Sequence, residues 1–208
     1  MALFGSWDML ETRARGLRIP FSFERIRPQD LGAEKPLPHR CIVDIPAGEV
    51  RAGTGSAASG DAAARNVIEC AAACRRGDLD ALVTAPLSKK YFQEAGYAFP
   101  GHTEFLAHLT GASEIAMAFL TDRLKVVLAT IHIPLRAVPD ALTPEAVLAK
   151  LRLILTEFAR FGLPCGRVAV AGVNPHAGES GILGSEDAGR IAPAVARARA
   201  LFPGTVIE

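Results

Sequence analysis

The stretch from Leu82 to Leu106, LVTAPLSKKYFQEAGYAFPGHTEFL, gathers a serine, two lysines and a histidine–threonine–glutamate triplet just beyond an apolar run. Asp80–Thr84 (DALVT) reads as a short buried strand, and Pro86 cannot continue a ladder, so the chain must leave the sheet near Ala85. Ser88, Lys89 and Lys90 would then open a helix at the carboxyl end of that strand. This edge of an open α/β sheet is where ligands bind, and amide donors with ammonium groups suit a phosphate or carboxylate. The alternative for Lys89 and Lys90 is an ordinary solvated helix face. Pro100 and Gly101 break the chain again, and His102, Thr103 and Glu104 follow. Thr103 reads as the cap of a helix whose apolar side is Phe105, Leu106 and Leu109.

Two further histidines occupy similar contexts. His132 follows the apolar run Leu124–Ile131 and precedes Ile133-Pro134, and His176 follows Arg167–Val173 inside Asn174-Pro175-His176-Ala177-Gly178-Glu179. Neutral imidazole is a common ligand of divalent transition metals, so the pair fits a metal site. Two ordinary hydrogen-bonded histidines fit the spacing equally. His39 and His108 match no such context, and His108, at helical spacing from Glu104, reads as a partly exposed helix residue.

The elements that must position these residues alternate. Trp7–Leu17 reads as a helix closed at Gly16, Phe21–Ile26 as a strand, and Cys41–Ile45 as another. Gly48, Gly53, Gly55 and Gly60 mark a loop that fits neither a dinucleotide fingerprint nor a P-loop. Ala57–Arg76 is an alanine-rich helix stopped by Gly77. Ile115–Leu120 and Leu124–Ile131 form a hairpin across Thr121-Asp122-Arg123, its β-branched residues favouring strand. Thr143 caps and Pro144 opens a helix to Phe161, Ser185 caps one to about Ala200, and Thr205–Ile207 starts a strand. The pattern predicts an α/β fold with a mixed sheet flanked by helices.

Composition narrows the partners. A net charge of +1 without a dense basic run points to no nucleic acid and no anionic membrane surface. The absence of an apolar stretch near 20 residues, or of a basic-then-apolar start, predicts a cytoplasmic protein. Cys41, Cys70, Cys74 and Cys165 form no C-x-x-C pair, so they read as buried or incidental thiols.

Three runs, VTAPLSKKYFQEAG with FPGHTEFLA, then ATIHIPLRAVPDALTPE, then VAVAGVNPHAGESGILGSED, resemble in order the 4-hydroxythreonine-4-phosphate dehydrogenase family of vitamin B6 biosynthesis. The resemblance covers nearly the whole chain, residues 1–208, as the central portion of such an enzyme. It implies an isocitrate/isopropylmalate dehydrogenase-like fold. It also implies NAD- or NADP-dependent oxidation of 4-phosphohydroxy-L-threonine, assisted by a divalent metal (zinc, magnesium or cobalt). The product is a 2-amino-3-oxo acid that decarboxylates to 3-amino-2-oxopropyl phosphate. Carried over residue by residue, His132 and His176 become metal ligands, and His102 and Thr103 substrate contacts. A homodimer with sites at its interface is implied as well. The family's opening GDPAGIGPE segment and its H-D-Q-G motif, with the third metal histidine, are not found among these residues, nor is most of the dinucleotide site, and the general base is not identifiable. Relatives acting on threonate or erythronate phosphate or on cyclic diols share these motifs, and an inactive truncated dimeric remnant is the rival from another class.

Overall fold

The amino-terminal tetrapeptide Ala2–Gly5 forms strand β1, and Ser6 starts helix α1 (Trp7–Gly16) by accepting a hydrogen bond from the Met9 amide at 3.4 Å. In the computed structural model, residues 1–32, 36–163 and 165–208 are described. They form two units, Met1–Ala112 and Ser113–Glu208.

In the first unit, β1, β2 (Glu24–Ile26) and β3 (Cys41–Asp44) make a parallel sheet in the order β1-β3-β2, with Ala2 and Glu24 both opposite Cys41. The central strand carries the most apolar sequence, and its Cys41, Ile42 and Val43 are wholly buried, as expected of a parallel strand covered on both faces. Asp44 ends it with a carboxylate that accepts from the Trp7 amide at 2.8 Å and from Arg25 Nε at 3.0 Å, tying α1 and β2 to the strand exit. The predicted strand from Phe21 shortens to β2. Phe21 instead packs its ring on Trp7, centroids 5.0 Å apart, and Phe23 packs on Phe21 at 5.4 Å.

Helix α2 (Ala57–Arg76) has the predicted bounds because both ends are chemically fixed. Ser56 and Ser59 form a reciprocal capping box, and Gly77 closes the helix at φ 82°. Its Ala64 and Val67 pack on Phe92 of α3 (Lys89–Glu94) and Phe105 of α4 (His102–Thr110). The Phe92 ring stacks on Tyr97 at 5.0 Å and meets Phe105 edge-on at 5.1 Å.

Asp80–Thr84 departs from expectation. It carries strand-like residues, yet no ladder forms on it among the described residues, and Val83 is 93% exposed. Strand composition yields a strand only where another edge supplies hydrogen bonds. The only neighbour of β1 in the described sheet is β3, and β1 and the 80–87 segment line one cavity without pairing.

In the second unit, β4 (Ala118–Leu120) and β5 (Lys125–Val127) form the predicted antiparallel hairpin, shorter than the two apolar runs. Thr121 closes it, its backbone amide donating to the Leu124 carbonyl at 3.0 Å while its hydroxyl accepts from the Leu124 amide at 2.9 Å. Helix α5 (Val138–Ala141) precedes α6 (Pro144–Arg160), whose Thr143 cap accepts from the Ala146 amide at 3.1 Å. The buried stripe Val147, Leu148, Leu151 and Leu155 packs on Ala194, Val195 and Ala198 of α7 (Ala192–Leu201) and on Ile207. Each of the valine, leucine and isoleucine side chains contributes about 1.5–3 kcal/mol when withdrawn from water.

Strand β6 (Arg167–Val168) pairs in parallel with β7 (Val206–Ile207). The predicted strand ran to Val173; the Val173 and Asn174 amides turn instead to the carboxylate of Asp187. Nor does Ser185 cap a regular helix. The chain enters through Glu186 and a π turn, Asp187–Ile191, before α7 begins. Among the described residues the strands form three small sheets within the expected mixed α/β architecture. Among the described residues no helix is long and apolar enough to cross a membrane.

Candidate functional site

The first unit holds a cavity of about 830 Å³ whose wall includes Ala2–Phe4, Asn66, Val67 and Cys70 of α2, the 78–87 segment and His102. Apolar side chains dominate, with Asn66, Asp78, Asp80, Thr84 and His102 as the polar groups. That mixture is usual for a small-molecule site. Asn66 Oδ1 is buried without a hydrogen-bond partner, and Asp78 pairs with Arg76 Nε at 2.8 Å.

His102 is the first residue of α4 and half-buried; burial holds its imidazole below the ordinary histidine range, so it is uncharged at neutral pH and able to accept as well as donate. The residue that caps this helix is Gly101, whose carbonyl accepts from the Phe105 amide at 3.2 Å, and Thr103 lies inside the helix. Gly101 is extended and buried against the start of the helix, which leaves the predicted Thr103 cap no role. Lys89 and Lys90 begin α3 as expected, with Ser88 at its cap position making no side-chain bond. Lys90 is held on its own helix, Nζ 3.9 Å from Glu94 and 5.2 Å from the Tyr91 ring centre. This is the solvated-face arrangement. His108 is exposed, its ring 5.1 Å from that of Phe99 and tilted by 40°.

His132 and His176 belong to the second unit. Both sit on left-handed backbone, at φ 56° and 53°, which non-glycine residues seldom adopt and which gathers at functional sites. His132 is exposed and follows β5; His176 is exposed as well and begins a left-handed run. The run continues through Ala177 (φ 51°), Gly178 (φ 84°), Glu179 (φ 44°) and Ser180 (φ 56°). Two imidazoles are the donor chemistry a zinc- or cobalt-like ion prefers, so the pair fits such an ion in kind. Among the described residues no group of three or more His, Cys, Asp or Glu is arranged to hold a metal.

Sequence reasoning passed over the residue that anchors the His176 loop. Asp187 is 6% exposed, the one buried charged side chain among the described residues. Its Oδ1 accepts from the Val173 amide at 2.8 Å, and its Oδ2 from the Asn174 amide and the Asn174 side chain, both at 3.0 Å. Asn174 also donates to Glu186 at 2.8 Å. Burial alone would raise the Asp187 carboxyl, but the bonds from Val173 and Asn174 outweigh it and hold it below the ordinary range. The one signal in the sequence was an acid at the start of a helix, which reads as dipole compensation.

The family described as pyridoxal phosphate biosynthetic protein PdxA matches residues 1–206. A 4-hydroxythreonine-4-phosphate dehydrogenase of Synechocystis sp. is 44% identical over 163 residues, 75% of this chain and 47% of that protein. The D-threonate 4-phosphate dehydrogenase of Salmonella typhimurium is 41% identical over 162 residues, 76% of this chain and 50% of its own. Among solved structures, a 4-hydroxythreonine-4-phosphate dehydrogenase from Klebsiella pneumoniae superimposes with a TM-score of 0.86 at 36% identity, covering 100% of this chain and 63% of that one. The chain thus spans about half the length of the curated relatives it matches.

Proposed function

The chain belongs to the PdxA family of pyridoxal phosphate biosynthetic proteins, and we propose from that membership that the protein it forms is a dehydrogenase of a small phosphorylated hydroxy acid. The substrate is 4-phosphohydroxy-L-threonine, oxidised at its secondary alcohol. The resulting 2-amino-3-oxo acid loses carbon dioxide to give 3-amino-2-oxopropyl phosphate. The observation that carries this reading is the placement of the three motif histidines: an uncharged His102 at a cavity wall, and His132 and His176 both on left-handed backbone.

His102 orients a substrate oxygen as hydrogen-bond donor or acceptor, and the Thr103 hydroxyl, one residue along, adds a second contact. His132 and His176 would hold the divalent metal, which is zinc, cobalt or magnesium. When bound, that metal supplies Lewis acidity at the alcohol oxygen and a nicotinamide of NAD or NADP accepts the hydride. The apolar cavity wall keeps water from the substrate carbon chain. Because catalytic sites generally use three protein ligands, the two histidines of this chain alone should bind metal weakly and sustain no turnover.

The 41% identical D-threonate 4-phosphate dehydrogenase supports a second substrate reading. A panel of 4-phosphohydroxy-L-threonine and D-threonate 4-phosphate, each with NAD and NADP and a divalent cation, separates the two in a protein of family length. Turnover of neither refutes both substrate readings. We also propose a homodimer built on the β4–β5 hairpin, where Phe119 (56%), Leu120 (53%) and Leu124 (64%) are exposed. Sedimentation as a monomer at micromolar concentration would overturn it.

A further inference from the structure

The run 176–180 has no reason of its own to be left-handed. Of its five residues only Gly178 adopts positive φ without steric cost; His176, Ala177, Glu179 and Ser180 each place a Cβ against the following carbonyl. Such a conformation persists only where the surroundings determine it. Two features supply that constraint. On the entry side, the Asp187 carboxylate takes the Val173 and Asn174 amides and the Asn174 side chain, so the last residues before Pro175 cannot continue as strand. On the exit side, Gly178 and Gly184 lie so close that a Cβ on Gly178 would stand 2.4 Å from the Gly184 carbonyl oxygen. The Leu183 amide bonds the Gly178 carbonyl at 3.0 Å. The loop is therefore strapped on its entry side to Asp187, at the start of the 187–201 helical segment, and on its exit side to Leu183 and Gly184.

We propose that Asp187 is the positioning residue of His176: its carboxylate holds the 173–174 backbone in the one path from which the left-handed run can begin, and the run presents the imidazole. The effect on metal rests on the reading of His176 as a ligand, whereas the effect on the backbone does not. The Asp187 carboxylate is taken up by the Val173 and Asn174 amides and the Asn174 side chain, so it acts through the loop. A carboxylate is needed because three N–H groups converge on it. An amide in its place brings its own N–H₂ among them and loses an acceptor.

The test uses the 208-residue chain with isotope-labelled backbone and histidine side chains. Carbon-13 Cα and Cβ shifts of residues 176–180 report the left-handed run, and signals of α6 and the Val195–Ala198 turn of α7 report folding. In Asp187→Asn the left-handed shifts should disappear while the α6 and α7 signals remain, and Asp187→Glu should restore most of them. Asn174→Ala removes only the side-chain bonds to Asp187 and Glu186, and serves if D187N does not fold; it should weaken the left-handed shifts in part. Unchanged shifts in D187N, or in N174A where D187N is unfolded, overturn the proposal.

Titration with Co²⁺ alone then separates the two readings. Broadening of the His176 imidazole in the wild type, needing at least tenfold more Co²⁺ in D187N but not in the helix variant Ala196→Gly, supports positioning of a ligand. If the left-handed shifts depend on Asp187 but Co²⁺ leaves His176 of the wild type unaffected, the clamp stands and the ligand reading falls. Equal Co²⁺ dependence in D187N and wild type, with broadening present in both, overturns the claim that the clamp presents the imidazole.

Discussion

Replacing Ala177 with glycine should stabilise its loop, against the usual direction of that substitution. Ala177 is exposed and has φ 51°, so removing its methyl sacrifices little packing and relieves the clash that makes a left-handed L-residue cost about 1–2 kcal/mol. The extra freedom of glycine in the unfolded chain costs about 0.4–1 kcal/mol, leaving a net effect between about zero and 1.5 kcal/mol in favour of the variant. Ala196→Gly is the matched control: it is exposed, in the same unit, within α7, and should lose about 1 kcal/mol through helix propensity alone. The two substitutions, chemically identical, should therefore differ by about 1 kcal/mol or more, at least roughly fivefold in a local opening constant. Fluorescence cannot read this, because Trp7, Tyr91 and Tyr97 all lie in the first unit. Hydrogen exchange of the amides from 176 to 201 can, with opening free energies compared under identical conditions. If A177G opens as readily as A196G, residue 177 carries no left-handed strain and the description of the loop is wrong.

Phe92→Ala should destabilise the first unit by about 3–5 kcal/mol, since the ring is fully buried between Tyr97 and Phe105. Urea denaturation followed at Trp7 measures it, and a loss under about 1 kcal/mol would contradict the packing. His102 is held below its ordinary range by burial, so the fold favours the uncharged ring. Its stabilising effect is complete above the unfolded value of about 6.5 and declines as pH falls from there toward the folded value. His102→Gln should flatten that decline, and an unchanged slope would show that the ring is not the cause. Burial, with Cys74 beside it, pushes the Cys70 thiol up to about 11. Iodoacetamide at about pH 8 should therefore alkylate half-buried Cys74 well before Cys70 or the buried Cys41; equal rates for Cys70 and Cys74 would refute the burial assigned to Cys70.

What could be read from the sequence divides along the range of the interactions involved. Helices α2 and α6 were legible nearly to the residue because Gly77, Thr143 and Pro144 act within one turn of the ends they define. Asp80–Thr84 has the composition of a strand, but composition says nothing about which edge comes alongside, and none does among the described residues. The premature end of β6 has the same origin, for the acceptor of the Val173 amide is 14 residues away in Asp187. Thr103 was mistaken for a cap because threonine is a good one and Gly101, which performs the task, has no side chain to signal it. Of the candidate site, the histidines themselves were legible as motif residues. Their left-handed backbone was not, because His132, His176, Ala177, Glu179 and Ser180 are not residue types that announce positive φ.

The outer flank of β1 decides where its sheet can grow. In a parallel ladder alternate residues bond to one neighbour. The carbonyls of Met1 and Gly5 accept from the amides of Cys41 and Ile45, so the backbone groups of Ala2 and Phe4 face away from β3. Among the described residues no strand pairs with them. Such a row of donors and acceptors is a template for a further strand, so an added segment of extended chain would dock here in preference to the covered face of β3.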